Sequence, residues 1–268
     1  MKDVKKQYLD YLNSSEGAYK YNEFKNILYG KKDSLISNVF YIVYPKIRNK
    51  KELKILDVGG GDGKRLRHLL DLFKQKEIIA EADLVEPSEE FIKNCIRESA
   101  KKKYPIATKK STFEKFSTQS KYDIIFLIHS IYTFRNNSYL DKIRKMLKKD
   151  GVAVFVVNDA NSFLGGLKKI TDDQYGSSRN EIDSLLSGLS AHRIKVKKFD
   201  TIFSGVLTKG NILNKNGNLV LEWIGMRHLH DMSAEIKESA RKFFIKRHSK
   251  DGHIHEKEVV ILTNFSSK

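Results

Sequence analysis

A run of glycines bordered by acidic residues is the part of this sequence best suited to hold a ligand. The segment reads Ile55-Leu56-Asp57-Val58-Gly59-Gly60-Gly61-Asp62-Gly63-Lys64, and it begins with a short apolar run. Glycines after a strand let the backbone turn tightly and approach a ligand closely, because they carry no Cβ. The pattern therefore predicts a turn that binds a nucleotide-like molecule.

Glu86 supplies the second half of this pattern. It ends the next apolar run, 23 residues after Gly63, where its carboxylate can accept hydrogen bonds from both hydroxyls of a ribose. The dinucleotide fingerprint requires a third glycine at position 64, which is Lys64 here. NAD stays open as an alternative ligand, although the glycine spacing and the lack of a second nucleotide-binding half disfavour it.

The apolar pattern between residues 53 and 157 predicts strands that alternate with helices. Ser88, followed by two acidic residues, is expected to cap the second helix. Continuous apolar strands that alternate with amphipathic helices indicate a parallel sheet covered on both faces, which is a Rossmann-like α/β fold. Strands are predicted at 53–58, 82–86, 106–108, 122–129 and 151–157, and helices at 66–73, 91–96 and 140–147, the last ended by Asp150-Gly151.

The glycine motif resembles the D/E-x-G-x-G-x-G form of class I S-adenosylmethionine-dependent methyltransferases. Further segments resemble histamine N-methyltransferase and its small-molecule relatives over about residues 53–160. They are Val85-Glu86-Pro87-Ser88 and Tyr122-Asp123-Ile124-Ile125, the latter leading to His129 and Tyr132. The resemblance implies a methyltransferase fold with an added helical cap, S-adenosylmethionine as cofactor and a small-molecule acceptor with an amine or imidazole-type nitrogen.

The resemblance also implies roles for individual residues. Gly59 and Gly61 would line the methionine and ribose side, Glu86 would hold the ribose, and Thr112 would lie near the adenine. His129 falls where the family has a substrate-binding glutamine, and His255 falls near a substrate-binding asparagine. The cofactor-binding residues are then expected to be Asp57, Gly59, Gly60, Gly61, Gly63, Glu86, Pro87, Thr112, Ile128 and His129, and the substrate-binding ones Tyr132, Thr133, Trp223 and His255.

Methyl transfer from a sulfonium needs alignment and a dry pocket rather than a covalent nucleophile. An amine acceptor must be neutral at nitrogen, and a histidine can accept or orient its proton. His129 and Tyr132 are therefore the predicted catalytic residues, with a core histidine bonded to backbone as the alternative for His129. Cys95 lies on an apolar helix face, which favours a small buried hydrophobe over a nucleophile.

The chain outside the alternating pattern is expected to cover the cofactor and to form the acceptor pocket. Helical spacing at Tyr8, Tyr11 and Leu12, and again from Leu35 to Val43, predicts two helices before the core. We predict one domain over 1–268, with a helical cap at 1–52, a cofactor-binding core at 53–160 and a C-terminal part at 161–268. That last part contains a helix near 182–189, strands at 194–199 and 259–263, and a substrate-cap insertion at about 201–250.

Two pairs of histidines and one tryptophan invite a second interpretation. His228 and His230, like His253 and His255, are two residues apart, and such pairs share a face only on a strand. No cysteine joins them, so no metal is expected. Trp223 has helical spacing with Met226 and Leu229, which fits a core stripe of the cap or a surface against the substrate.

The amino-acid composition helps to decide between the functions that the motifs leave open. The 268 residues are 40% hydrophobic and 31% charged, with a net charge of +17, which is ordinary for a globular protein apart from the excess of lysine. Because the lysines are spread along the chain, a solvated surface is favoured over a nucleic-acid groove. An RNA methyltransferase of the cap guanine-N7 type stays open, as does an inactive protein that binds the cofactor.

The location of the protein is predicted from three features of the sequence. No apolar run approaches the ~18 residues of a membrane span, and no apolar segment follows the N-terminal lysines. Cys95 is the single cysteine, which fits a reducing compartment. We therefore expect a cytoplasmic protein without a membrane partner, and its oligomeric state stays open.

Overall fold

The computed structural model describes residues 10–11, 14–29, 34–131, 134, 138–172, 181–190, 193–202, 215–225, 228–247 and 254–265. The helices are α1 (Ser15–Tyr29), α2 (Ser34–Ile47), α3 (Lys64–Lys74), α4 (Glu89–Lys101), α5 (Ser138–Met146), α6 (Phe163–Asp172), α7 (Glu181–Leu189), α8 (Lys215–Gly225) and α9 (Ala234–Lys246). The strands are β1 (Glu52–Val58), β2 (Ile79–Glu86), β3 (Ile106–Lys110), β4 (Tyr122–Ile128), β5 (Leu147–Asn158), β6 (Arg193–Ile202) and β7 (His255–Asn264). Tyr8 and Leu12, which helped to predict the first helix, lie outside the described residues.

All seven strands form one sheet in the order β3-β2-β1-β4-β5-β7-β6. The first five strands are parallel to their neighbours, with Asp57 opposite Leu84 on one side of β1 and opposite Phe126 on the other. Every residue of β4 is buried, as expected for a central strand covered on both faces. The architecture confirms the predicted Rossmann-like α/β fold.

Helices α3 and α4 form where the apolar period and the capping signals predict them. Leu66, Leu69, Leu70 and Phe73 form the buried face of α3. The Ser88 hydroxyl accepts a hydrogen bond from the N–H of Phe91 and so caps α4, and the two acidic residues that follow complement the helix dipole. These two crossovers fix the positions of the carboxyl ends of β1 and β2.

The predicted helix end at Asp150-Gly151 is wrong. Helix α5 ends at Met146, and β5 starts at Leu147 with an irregular register, since Tyr122 pairs with Leu147 and Ile124 with Val152. A Cβ on Gly151 would come within 2.8 Å of the carbonyl oxygen of Tyr122. Gly151 is therefore required by close strand contact, and not by a helix terminus.

The chain divides into two compact units, each built from several segments. Unit 1 contains residues 1–34, 158–182 and 198–258, and unit 2 contains residues 35–157, 183–197 and 259–268. Helix α2, which the sequence analysis assigned to an N-terminal cap, falls in unit 2 from Leu35 onward, where Phe40 packs edge-on against Phe73 at 5.3 Å. The organisation as one domain with an added cap stays a prediction.

Unit 1 is held together by aromatic packing between its helices. Trp223 of α8 contacts Tyr21 and Phe24 of α1, with ring centroids 4.8 and 5.5 Å apart. Phe163 of α6 contacts Phe244 of α9, with ring centroids 5.1 Å apart. Burial of large aromatic side chains contributes about 1.5–3 kcal/mol each, so these contacts account for the compactness of a unit whose segments are far apart in the chain.

Candidate active site

The strand order places a crevice at the carboxyl ends of β1 and β4. Strand order runs outward from β1 through β2 to β3, and in the other direction from β1 through β4 to β5. Ligands of open α/β sheets bind outside the carboxyl ends of the strands at such a reversal point. The residues that follow β1, β2 and β4 in unit 2 therefore define the candidate site.

The turn after β1 adopts a backbone that favours glycine at three positions. Gly59, Gly61 and Gly63 have φ angles of 70°, 58° and 71°, a region in which a side chain is strained. The Gly59 N–H donates to the carbonyl of Val85 at 2.8 Å, which fixes the turn to β2. A Cβ on Gly60 would come within 2.4 Å of Asp57 Oδ2, so its backbone lies directly against that carboxyl group.

Glu86 is bound to the glycine turn. Its Oε2 accepts a hydrogen bond from the N–H of Gly61 at 3.1 Å, and its Oε1 accepts one from the N–H of Ser88 at 2.9 Å. Glu86 is buried, and Pro87, which lies between Glu86 and Ser88 in the chain, restricts the backbone there. The carboxylate is therefore held in one orientation at the end of β2, next to the turn, where it can accept further hydrogen bonds.

Asp57 lies beneath the same turn and is fully buried. Burial raises the pKa of Asp57 to about 7, although the charge of Arg65 lowers it and that of Glu86 raises it further. Two carboxyl groups in a site of low polarity disfavour each other's ionisation. The turn is thus built over one carboxyl group that titrates near neutrality and one that the backbone binds directly.

Thr112 and Ile128 lie at the same edge of the sheet. Thr112 follows β3, and its carbonyl accepts hydrogen bonds from the N–H groups of Lys115 and Phe116. The neighbouring Ser111 N–H donates to the carbonyl of Glu86 at 3.2 Å. Ile128 is the last residue of β4 and pairs with Val156, so its carbonyl end also belongs to this edge.

His129 follows β4 in an unusual conformation. It is half-buried, its φ is 55°, and its N–H donates to the carbonyl of Val156 at 2.9 Å. A left-handed backbone is uncommon for residues other than glycine and often marks a functional constraint. Ser130 is buried next to it and lies against Gly59.

Four predicted site residues are not among those described at this edge of the sheet in unit 2. Tyr132 and Thr133 lie outside the described residues. Trp223 is buried in the aromatic cluster of unit 1, and its predicted helical spacing with Leu229 is wrong because α8 ends at Gly225. His255 is the exposed first residue of β7, also in unit 1. The roles predicted for these four residues stay predictions.

Unit 1 contains a pair of buried carboxyl groups that was not predicted from the sequence. Glu256 and Glu258 are both 0% exposed. Glu256 accepts hydrogen bonds from Asn158 Nδ2 at 3.0 Å and from the N–H of Leu164, in the first turn of α6, at 2.9 Å. Burial raises the pKa of Glu256 well above its usual value, and the charge of Glu258 raises it further. The alternation of Glu256, Lys257 and Glu258 is the one signal that places both acids on the same face of β7.

Cys95 and the pair His228 and His230 form no reactive or metal-binding arrangement among the described residues. Burial raises the pKa of Cys95, whose Sγ would lie 2.6 Å from a Cβ on Gly63, so this thiol packs under the turn. His228 and His230 stack with centroids 5.3 Å apart. Among the residues described, no group of three or more His, Cys, Asp or Glu side chains is arranged to hold a metal ion. Over the same residues, no helix is long and apolar enough to cross a membrane.

Comparison with known proteins gives the class of the protein. A family model described as a methyltransferase domain matches residues 33–197, more than half of the chain, and the protein belongs to that family. The comparison with curated proteins gives no match. The matched range contains the glycine turn, Glu86, Thr112 and His129.

Solved structures share the fold at low sequence identity. The YcgJ protein from Bacillus subtilis has a TM-score of 0.59 at 14% identity, and the match covers 87% of this chain and 100% of that one. The plantazolicin methyltransferase BpumL, bound to a triazolic desmethylPZN analog and SAH, has a TM-score of 0.55 at 13% identity, with 98% and 97% of the two chains covered. A structure from Galdieria sulphuraria described as a sarcosine dimethylglycine methyltransferase has a TM-score of 0.53 at 13% identity, covering 87% and 86%.

The protein is a class I methyltransferase whose cofactor is S-adenosylmethionine. The residues of the turn fit this group. Left-handed glycines leave the backbone accessible where a Cβ would intrude, and the fixed carboxylate of Glu86 suits the hydroxyl groups of a ribose.

Proposed function

We propose that this enzyme methylates a small molecule at an amine or imidazole-type nitrogen. When bound, S-adenosylmethionine supplies a methyl group already activated on a sulfonium. In this proposal Glu86 accepts hydrogen bonds from the ribose, the turn at Gly59–Gly63 faces the methionine and ribose side, Thr112 lies near the adenine, and the backbone of Ile128 borders the site. Asp57, Gly60 and Pro87 act by shaping the turn.

The position of His129 is the observation that carries the proposal for the acceptor. It lies at the carboxyl end of β4, beside the glycine turn, and its left-handed backbone is retained at a cost. An imidazole there can hold an acceptor nitrogen in line with the methyl group or accept its proton. When bound, the cofactor would supply its methyl group to the acceptor lone pair and leave as SAH, and the imidazole of His129 would take up the proton that the nitrogen releases.

The solved structures show how widely acceptors vary on this fold. One of them is described as acting on sarcosine and dimethylglycine, which are amines, and another is bound to a larger azole-containing compound. The acceptor must therefore be set by side chains of this chain. We assign acceptor contacts to Tyr132, Thr133, Trp223 and His255, together with catalytic roles for His129 and Tyr132.

The test is methyl transfer with labelled cofactor across a panel of amines and imidazoles. His129→Asn is the sharpest variant, because asparagine tolerates the left-handed region but provides no titratable nitrogen. We expect turnover to fall at least 100-fold while SAH affinity stays within about twofold. Full turnover by this variant would remove His129 from catalysis, and no turnover across the panel by the wild-type enzyme would refute the small-molecule assignment.

RNA is the second candidate acceptor, and although the lysines as a whole are spread along the chain, one local cluster of them favours it. Between residues 101 and 121 there are seven lysines and one acidic residue, and Lys102, Lys103, Lys109 and Lys115 are exposed. RNA binding would weaken with salt at a log–log slope of about −0.7 for each phosphate neutralised on a single strand. Methylation of capped RNA with this salt dependence would replace the small-molecule proposal.

A further inference from the structure

The chain changes direction directly after β4. The N–H of His129 still pairs with Val156 of β5, at 2.9 Å. The next residue, Ser130, lies on the other side, where its Cβ would be 2.6 Å from a Cβ built on Gly59. The two residues after β4 therefore bring the end of that strand into contact with the first glycine of the turn after β1.

The backbone of His129 is not explained by ordinary chain geometry. Of the described residues other than glycine, Glu77, Lys103 and His129 have positive φ angles. Glu77 and Lys103 follow the ends of α3 and α4, where a left-handed residue commonly terminates a helix. His129 follows a strand, so its conformation must be maintained by contacts with its surroundings.

We infer that Ser130 is a positioning residue for the glycine turn, and that the left-handed backbone of His129 places it there. The Cβ of Ser130 braces Gly59, whose own N–H is bound to Val85. Gly59 is thereby fixed from β2 and from β4 at once. The inference rests on the proposed role of this turn in cofactor binding, and it gives His129 a backbone function that is separable from its imidazole.

Substitutions at Ser130 test whether its Cβ holds Gly59 in place. SAH affinity is measured with the full chain. Ser130→Ala keeps the Cβ and should bind SAH within about twofold of wild type. Ser130→Gly removes the Cβ and should weaken SAH binding about 5–20-fold, because the turn then samples other conformations. The measurement is titration calorimetry, with thermal unfolding of each variant to confirm a folded chain.

Substitutions at His129 test the backbone function. His129→Gly and His129→Asn both tolerate a positive φ, so any loss of SAH affinity in them reports the missing imidazole alone and sets the baseline for His129→Ala. His129→Ala does not tolerate it and should bind SAH about 5–10-fold more weakly and unfold at a lower temperature. A structural histidine that acts only through its ring would instead make all three variants equally weak.

Three results would overturn the inference. The first is wild-type SAH affinity in Ser130→Gly, the second is equal affinity in His129→Ala and His129→Gly, and the third concerns Ser130→Ala. Failure of the proposed function is separable, because a wild-type protein that binds SAH but methylates no amine, imidazole or RNA would refute the acceptor and leave the ordering of these affinities intact. If Ser130→Ala weakens binding as much as Ser130→Gly, the hydroxyl and not the Cβ is responsible, and the brace is refuted.

Discussion

Among the buried carboxyl groups of each unit, two lie close together, and these two pairs are stabilised differently. In unit 2, Glu86 accepts hydrogen bonds from backbone N–H groups of Gly61 and Ser88, and Asp57 lies under the same turn. In unit 1, Glu256 accepts from the side chain of Asn158 and from the N–H of Leu164. The first pair belongs to a turn with three left-handed glycines, whereas the second joins a strand to a helix.

This difference separates a binding function from a structural one. Backbone N–H groups of Gly61 and Ser88 fix the orientation of Glu86, which suits a carboxylate that must accept bonds from a ligand. Glu256 has its oxygens engaged by the protein and lies beside Glu258 on β7, so the pair anchors the first turn of α6. Burial of a carboxyl group therefore indicates function only together with the nature of its donors.

The largest expected effect is on the first pair. Glu86→Ala should weaken cofactor binding by about 1.5–3 kcal/mol, the usual value for hydrogen bonds to a charged group. Glu81→Ala, at an exposed position on the same strand, is the matched control and should bind normally. The measurement is SAH titration, and unchanged affinity in Glu86→Ala would remove the ribose assignment.

Asp57 should make stability depend on pH. Its pKa in the folded protein is raised to about 7 from the ordinary 3.8, so its contribution favours the folded state most below about pH 4 and declines until about pH 7. Asp57→Asn should flatten this decline and raise the free energy of unfolding at pH 8 by roughly 1–2 kcal/mol. Urea unfolding at pH 5, 6.5 and 8 measures it, and parallel profiles for both proteins would contradict the assignment.

Glu258→Gln should have a similar but smaller effect in unit 1. The charge of Glu258 helps to raise the pKa of Glu256, and removing it lowers the cost of ionising Glu256 inside the folded protein. Stability should then decline less as pH rises above about 4.5, with a gain of about 1 kcal/mol at pH 8. Glu256→Gln, which keeps an acceptor for Leu164, is the comparison variant. An unaltered pH profile would show that the charge of Glu258 does not raise the pKa of Glu256.

The smallest effect is expected at an exposed carboxyl group. Lys110 and Lys93 hold the pKa of Glu89 near 2 through hydrogen bonds and their charges, yet solvent screens such surface pairs. Glu89→Gln should therefore lower the urea midpoint at pH 7 only slightly, through the loss of its favourable interaction with the α4 dipole. A clear loss of stability would show that a shifted pKa, and not burial, identifies the carboxyl groups that contribute to the free energy of unfolding.

The elements predicted correctly from the sequence are those whose nearby residues alone determine the structure. The β1 turn, the Ser88 cap and the position of Glu86 at the end of β2 combine apolar period, glycine spacing and capping residues within about thirty positions. The α5–β5 boundary could not be predicted in this way. Gly151 is required because its backbone lies close to the carbonyl of Tyr122, a residue distant in the chain. A glycine needed for strand packing and one that ends a helix look alike in sequence.

The same limit applies within the site. Ser130 is an ordinary serine until the strand order brings it to Gly59, and no local pattern signals the positive φ of His129. Glutamates at alternate positions usually face solvent on a strand, so the burial of Glu256 and Glu258 depends on what covers β7. Each missed feature arises from a contact between residues far apart in sequence.

The position of β7 has a consequence for how the chain is made. β7 lies between β5 and β6 in the sheet but comes last among them in the chain, starting more than fifty residues after Ile202 ends β6. At ~5–20 residues per second of synthesis, β5 and β6 both wait several seconds for β7, while β1 to β4 already lie beside their neighbours in the sheet. During that interval the free edge of β5 can pair with another nascent chain. We therefore expect chains stalled before residue 255 to aggregate more readily than complete ones.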